Sequence, residues 1–123
     1  MLTYVYSFAQ HGDLDTIKHK TANLVKKDYK NFRQTNCDYS KYADNKDTKD
    51  LFCKANYFFS IKEYHTSIDC LKQAYTKSIS ADTKFQILKL VSDNYRQLGD
   101  NKHADIYQEK ANQFIDKNPN IQK

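Results

Sequence analysis

Turn-forming residues are scarce in this chain. Its 123 residues include only two Gly and one Pro, which argues against a sheet of many short strands and favours long helices. No apolar run reaches the ~20 residues that a membrane-spanning helix requires, and residues 1–13 lack the basic segment and long apolar core of a signal peptide. We therefore expect a cytoplasmic protein without a membrane partner.

The cysteines show no metal or redox motif. Cys37, Cys53 and Cys70 are odd in number and lack Cys-x-x-Cys spacing. Cys53 and Cys70 fall within predicted helices, where a small buried thiol is the usual case. This usage fits a reducing cytosol.

No arrangement of catalytic residues is apparent either. The four histidines are scattered without the spacing of a metal site, and His65 and His103, which follow predicted turns, are expected at the surface. There is no glycine-rich phosphate loop and no nucleophile elbow, and the acidic residues are spread singly. The sequence therefore predicts a protein that is not an enzyme and has no metal or cofactor.

What the chain does contain is an internal repeat. Residues of matching size recur at five positions after a shift of 37 residues. The first copy has Leu51, Ala55, Phe58, Ser67 and Ala74, and the second has Leu88, Ser92, Tyr95, Ala104 and Ala111. A repeat of this length indicates stacked helical hairpins. The small residues are expected where helix axes approach to about 8–10 Å.

We predict one all-α domain of about six helices, with residues 34–47 as a polar loop and 119–123 as a fraying tail. Residues 48–80 and 81–118 are the two clear repeats, with Thr48 as an N-cap and an apolar face that extends to Ile79. Since at least three repeats are usually needed for stability, residues 1–33 are interpreted as a degenerate first hairpin with a basic second helix.

The small–large–small pattern resembles the tetratricopeptide repeat (TPR), which reads W-x2-L-G-x2-Y, then A-x3-F, then P, over about 34 residues. The residues that stand for the family's glycine, tyrosine and two alanines are Ala55, Phe58, Ser67 and Ala74, and in the second copy Ser92, Tyr95, Ala104 and Ala111. Lys54 and Gln108 depart from the pattern. The resemblance covers Lys49 to Asn118 and implies antiparallel hairpins stacked as a short TPR-like solenoid.

In the TPR family, the first helix of each hairpin lines a concave groove that binds peptides or protein tails. Similar repeats form the sensors of bacterial peptide-pheromone receptors, and others occur in adaptors and secretion chaperones. The resemblance therefore implies a small bacterial adaptor or regulator with a protein or peptide partner. The groove residues it implies are Phe52, Asn56, Phe59, Lys89, Asp93 and Arg96.

Within this groove, Asn56 could hold an extended peptide backbone, because an amide both donates and accepts. Lys89 and Arg96 could hold a carboxylate. The alternative is that these are ordinary solvated positions, with Lys89 and Asp93 paired across one helical turn.

Two other functions stay open. The predicted helix 14–33, with Tyr29 and Phe32 interleaved among its bases, could bind a phosphate backbone and stack on nucleic-acid bases, although a lysine-rich solvated face is the simpler interpretation. The bases are Lys18, Lys20, Lys26, Lys27, Lys30 and Arg33. Self-association is the third function, because the outer face of the last helix carries Ile106 and Ile115.

Overall fold

The computed structural model describes residues 29–33 and 37–121. These two ranges belong to separate compact units. Residues 29–33 are helical, in agreement with the prediction for the end of the basic helix. The remainder of the predicted hairpin 1–33 lies outside the described residues.

The larger unit consists of short and long helices in sequence. A 3-10 helix, Asp38–Tyr42, is followed by α1 (Lys46–Ser60), α2 (Tyr64–Lys77), α3 (Ala81–Gln97) and α4 (Asn101–Lys117). Helix α1 packs on α2, α2 on α3, and α3 on α4. The ranges 29–33 and 37–121 contain no strand, so the predicted all-α class is confirmed.

Helix α1 begins earlier than predicted because Asn45, and not Thr48, is its N-cap. The Asn45 side chain accepts from the Thr48 N–H at 2.9 Å, and Thr48 Oγ1 accepts from the Asn45 N–H at 3.2 Å. This reciprocal pair is a capping box. The helix therefore begins at Lys46, inside the segment predicted to be a loop, and Asp38–Tyr42 is helical within that segment too.

The turns that close the two hairpins share one backbone geometry. Lys62 and Gly99, which lie 37 residues apart, have the positive φ angles of 66° and 78°. In each turn the next residue closes a hydrogen bond onto the end of the preceding helix, as in a Schellman motif. The bonds run from the Glu63 N–H to the Phe58 carbonyl (2.8 Å) and from the Asp100 N–H to the Tyr95 carbonyl (2.9 Å). The internal repeat of the sequence therefore corresponds to a repeated backbone conformation at the two turns.

Substitutions in these two turns should differ in their effects on stability. Gly99→Ala is expected to lower the free energy of unfolding by about 1 kcal/mol through its left-handed backbone alone, since no atom lies within 4 Å of the added Cβ. Lys62→Gly is expected to be neutral or to stabilise by up to about 1 kcal/mol, because relief of strain competes with a more flexible unfolded chain. Urea unfolding measures both, with Lys62→Ala as the control that keeps a side chain at this φ. Clear destabilisation by Lys62→Gly would contradict the prediction.

The six small residues of the repeat are packing residues, as predicted. Each is at most 1% exposed. They are Ala55, Ser67, Ala74, Ser92, Ala104 and Ala111. Bulkier side chains at these positions would push the helices of a hairpin apart.

Each hairpin also contains one buried hydroxyl–carbonyl bond between its helices. Ser67 Oγ of α2 donates to the Ala55 carbonyl of α1 at 2.8 Å. In the second hairpin, Ser92 Oγ of α3 donates to the Ala104 carbonyl of α4 at 2.7 Å. The serine is thus on the second helix of one hairpin and on the first helix of the other, and both buried hydroxyls are satisfied.

Two predictions for the ends of helices are wrong. Helix α2 ends at Lys77, so Ile79 lies in the following linker and is 77% exposed instead of extending an apolar face. At the other end, Ile121 does not fray. It is 8% exposed and packs in a core cluster with Phe85 and Leu88, because burial of its side chain holds the chain that follows α4.

Candidate peptide-binding groove

The helical face predicted to bind a partner is in contact with the protein's own 3-10 helix. Residues 38–42 pack on α1 and, to a smaller extent, on α3. These are the first helices of the two hairpins, which the TPR resemblance assigns to the groove. We call the surface of α1 and α3 that contacts residues 38–42 the groove, and residues 37–42 the inner segment.

Asn56 contacts the backbone of the inner segment. Its Oδ1 accepts the Tyr39 N–H at 3.1 Å, and its side chain is half-buried. The contact is to a main-chain amide, which is the type of interaction predicted for Asn56 toward a peptide. Here the amide belongs to the same chain, and binding of a separate peptide stays a prediction.

Two tyrosines of the inner segment contact the two predicted groove phenylalanines. The ring centroid of Tyr39 is 6.4 Å from that of Phe59, and the centroid of Tyr42 is 6.2 Å from that of Phe52. Tyr39 and Tyr42 are themselves 6.4 Å apart, so the four rings form a continuous row. Phe52 is fully buried and belongs to the core, whereas Phe59 is half-buried.

A disulfide joins the inner segment to α1. Cys37 and Cys53 are bonded across a sequence separation of 16, with Cα atoms 5.2 Å apart. The expectation of a buried thiol is therefore wrong for Cys53, while Cys70 is outside the disulfide and buried as expected. No short spacing motif indicates this pair, because the two sulfurs meet only when the inner segment folds back on α1. The predicted reducing compartment stays a prediction, and the disulfide would be labile in it.

The electrostatics of the groove keep Tyr39 neutral. Burial raises the pKa of the Tyr39 phenol to about 12, with smaller contributions from Asp93 and Tyr42. Partial burial also raises the pKa of Asp93, against the opposing charges of Lys89 and Arg96. The Tyr39 hydroxyl therefore stays protonated to a higher pH than that of an exposed tyrosine.

The two predicted cations of α3 have separate surroundings. Arg96 Nη2 is 3.1 Å from Asp105 Oδ1 on α4, with both side chains exposed. The Lys89 Nζ lies 5.3 Å from the centre of the Phe85 ring. An exposed ion pair is worth only about 0–1 kcal/mol, so Arg96 could leave Asp105 at small cost to meet a carboxylate.

Asp44 fixes the chain that follows the inner segment. Its Oδ2 accepts from the N–H groups of Ile79 and Ser80, both at 2.6 Å, and Thr83 Oγ1 donates to the Tyr42 carbonyl at 2.7 Å. Partial burial raises the pKa of Asp44, but the backbone hydrogen bonds from Ser80 and Ile79 outweigh burial and lower the pKa. Sequence analysis missed these contacts because they join residues more than 30 positions apart, without a local pattern.

The residues of the other two hypotheses are only partly described. Lys30 and Arg33 are exposed, and Lys18, Lys20, Lys26 and Lys27 lie outside the described residues. Ile106 is 42% exposed, whereas Ile115 packs against the core cluster. The apolar surface predicted for self-association on α4 is therefore smaller than the sequence indicates.

The described residues contain neither a metal-binding cluster nor a membrane-spanning helix. Within the described ranges, no group of three or more His, Cys, Asp or Glu side chains could hold a metal ion. In the same part of the chain, no helix has the length and apolar character needed to cross a bilayer. Comparisons with protein-family models, with curated proteins and with solved structures find no match.

Proposed function

We propose that the protein is a non-enzymatic, TPR-like peptide-binding module and that the groove is its binding surface. The observation that carries this proposal is the bond from the Tyr39 N–H to Asn56, in which the groove already binds a main-chain amide. Main-chain contacts give affinity to a peptide site, and pockets for side chains give it specificity.

The inner segment indicates the chemistry of the partner. Its backbone meets Asn56, and its two rings, three residues apart, lie against Phe59 and Phe52. Aromatic pairs of this kind contribute about 0.5–1.5 kcal/mol each beyond the burial of their area. A partner peptide is therefore expected to carry aromatic residues at positions i and i+3, like Tyr39 and Tyr42.

The disulfide decides whether such a partner can compete. A short tether holds the inner segment at an effective concentration in about the millimolar range, so an oxidised protein would exclude a partner of moderate affinity. Reduction converts the disulfide into two thiols and leaves the inner segment joined to α1 by residues 43–45 alone, so the segment competes less strongly with a partner. We place the protein in the cytoplasm, where thiols are kept reduced and the groove can exchange its own segment for a partner.

A peptide titration tests the proposal. The probe is a labelled peptide of residues 37–44 with serine in place of Cys37, added to the full-length protein and followed by fluorescence anisotropy. We expect saturable binding to the reduced protein and binding at least about tenfold weaker to the oxidised protein, because the tethered segment competes. Circular dichroism is used to confirm that the reduced protein remains helical.

Matched variants locate the binding surface. Asn56→Leu should weaken binding of the peptide, whereas Asn56→Asp keeps an acceptor for the Tyr39 amide and should retain most of the affinity. Asn112→Leu, at an exposed position of α4, is the control. Equal binding of a peptide with alanine at both tyrosine positions, or no saturable binding to the reduced protein, would overturn the proposal.

A further inference from the structure

A second concavity lies between α2 and α4, with α3 as its floor. Its volume is about 480 Å³, within the roughly 300–1,000 Å³ that is typical of small-molecule sites. The floor consists of Ile87, Leu88 and Val91, all of which are aliphatic and buried. We call this concavity the lysine cleft, for the side chains described below.

The lysine cleft is distinct from the groove. Successive residues of an α-helix are rotated by about 100°, so Ile87 and Val91 lie on the opposite face of α3 from Lys89 and Asp93. The cleft also takes its walls from α2 and α4, whereas the inner segment contacts α1 and α3. A ligand in the cleft would therefore leave the groove and its disulfide untouched.

The walls of the cleft are aromatic and held in place. Tyr75, Tyr107 and Phe114 line it, and all three pack against the core cluster. The Tyr107 ring stacks on Tyr95 with centroids 5.6 Å apart, and Tyr95 stacks on His103 at 5.1 Å. This stack fixes the orientation of Tyr107 before any ligand arrives, so little ordering of side chains would oppose binding.

The charged side chains that line the cleft are positive. Lys72, Lys110 and Lys117 line it, and no carboxylate does within the described part of the chain. The ammonium groups of Lys110 and Lys72 lie 4.8 Å and 5.8 Å from the centre of the Tyr107 ring. Burial lowers the pKa of Lys72, but the neighbouring Tyr107, Tyr95 and Asp69 outweigh it and raise the pKa. Lys72 therefore stays charged.

We infer that the lysine cleft binds a small amphipathic anion, with its hydrocarbon body on Ile87, Leu88 and Val91 and its head group among the lysines. An apolar floor alone would accept any hydrophobic molecule, and three lysines alone would attract any anion. The combination selects a ligand that is apolar at one end and anionic at the other. The volume is that of a small-molecule site.

Sodium dodecanoate is the probe, titrated into the full-length protein by calorimetry below its micellar concentration. We expect saturable binding at one site, with decanoate about tenfold weaker or more, because each buried methylene contributes about a fourfold change in affinity. Uncharged 1-dodecanol and cationic dodecyltrimethylammonium are expected to bind at least about tenfold more weakly than dodecanoate.

Substitutions of single lysines test whether dodecanoate binds in the lysine cleft. Lys110→Gln and Lys72→Gln are each expected to weaken dodecanoate binding by about three- to tenfold, since a charged hydrogen-bond partner is lost at a partly exposed site. Lys102→Gln, at an exposed position of α4 outside the cleft, is expected to change nothing. Three results would each overturn the inference: no saturable binding, equal affinity for dodecanol, or an equal effect of Lys102→Gln.

Discussion

Phe52→Ala is expected to lower the free energy of unfolding by about 3–5 kcal/mol. Phe52 is fully buried, and its ring lies against Tyr42 of the inner segment. Its removal forfeits the transfer free energy of the ring and leaves a cavity that the surrounding helices fill only in part. Because a domain of this size has a total stability of about 5–15 kcal/mol, the variant should lose a large fraction of its stability.

Phe59→Ala is the matched control for this prediction. Phe59 lies on the same helix and also contacts the inner segment, but it is half-buried. We expect its loss of stability to be about half that of Phe52→Ala or less, since the cost scales with the apolar area removed from water. Urea unfolding measures both losses. An effect of Phe52→Ala no larger than that of Phe59→Ala would contradict the assignment of Phe52 to the core. Because its substitution should cost less stability, Phe59 is the better position for affinity measurements.

Cys37→Ser is expected to lower the free energy of unfolding by about 3 kcal/mol. The disulfide closes a loop across 16 positions, and opening the loop returns conformational entropy to the unfolded chain. Cys37 is the preferred site for the substitution because it is half-buried, whereas Cys53 is 2% exposed and a serine there would bury a hydroxyl group.

A thiol reductant provides an internal control for this substitution. Dithiothreitol should destabilise the natural protein by the same amount as Cys37→Ser and should leave that variant unchanged. A thiol titration of the unfolded chain should count one free thiol, Cys70, before reduction and three after it. A natural protein whose urea midpoint does not respond to reductant would disprove the stabilising role of the disulfide.

The sequence predicts the four long helices because their signals are local. Apolar residues at spacings of three and four, Ser80 as a cap and Gly99–Asp100 as a turn all act within one helical turn. The predictions are wrong where a contact between residues distant in sequence determines the local structure. Asn45 replaces Thr48 as the cap inside a segment that its polarity marks as a loop, and Ile121 is ordered by a core cluster assembled from α3 and α4.

The groove can be predicted only in part, because local spacing indicates its helical residues but not the segment that contacts them. Asn56, Phe52 and Phe59 can be assigned to one surface from their helical spacing and the resemblance to TPR proteins. The inner segment that contacts them cannot, because Tyr39 and Asn56 are 17 positions apart and nothing in the polar run 34–47 indicates which way it folds. The lysine cleft cannot be predicted from the sequence. Its lysines come from two helices, and nothing in the sequence distinguishes them from other lysines on a solvent-exposed helix face.

Each hairpin has one serine bond between its two helices. The effect of a substitution at one position of such a pair is expected to depend on the residue at the other. Ser67 donates to Ala55, and Ser92 donates to Ala104, so the first pair reads Ala–Ser and the second reads Ser–Ala. A residue-by-residue alignment of the copies counts two differences here, although the contact is the same. Loss of the serine in one helix is therefore expected to be offset by a serine at the facing position of the other helix. The two copies can therefore diverge in sequence while the bond that joins their helices persists.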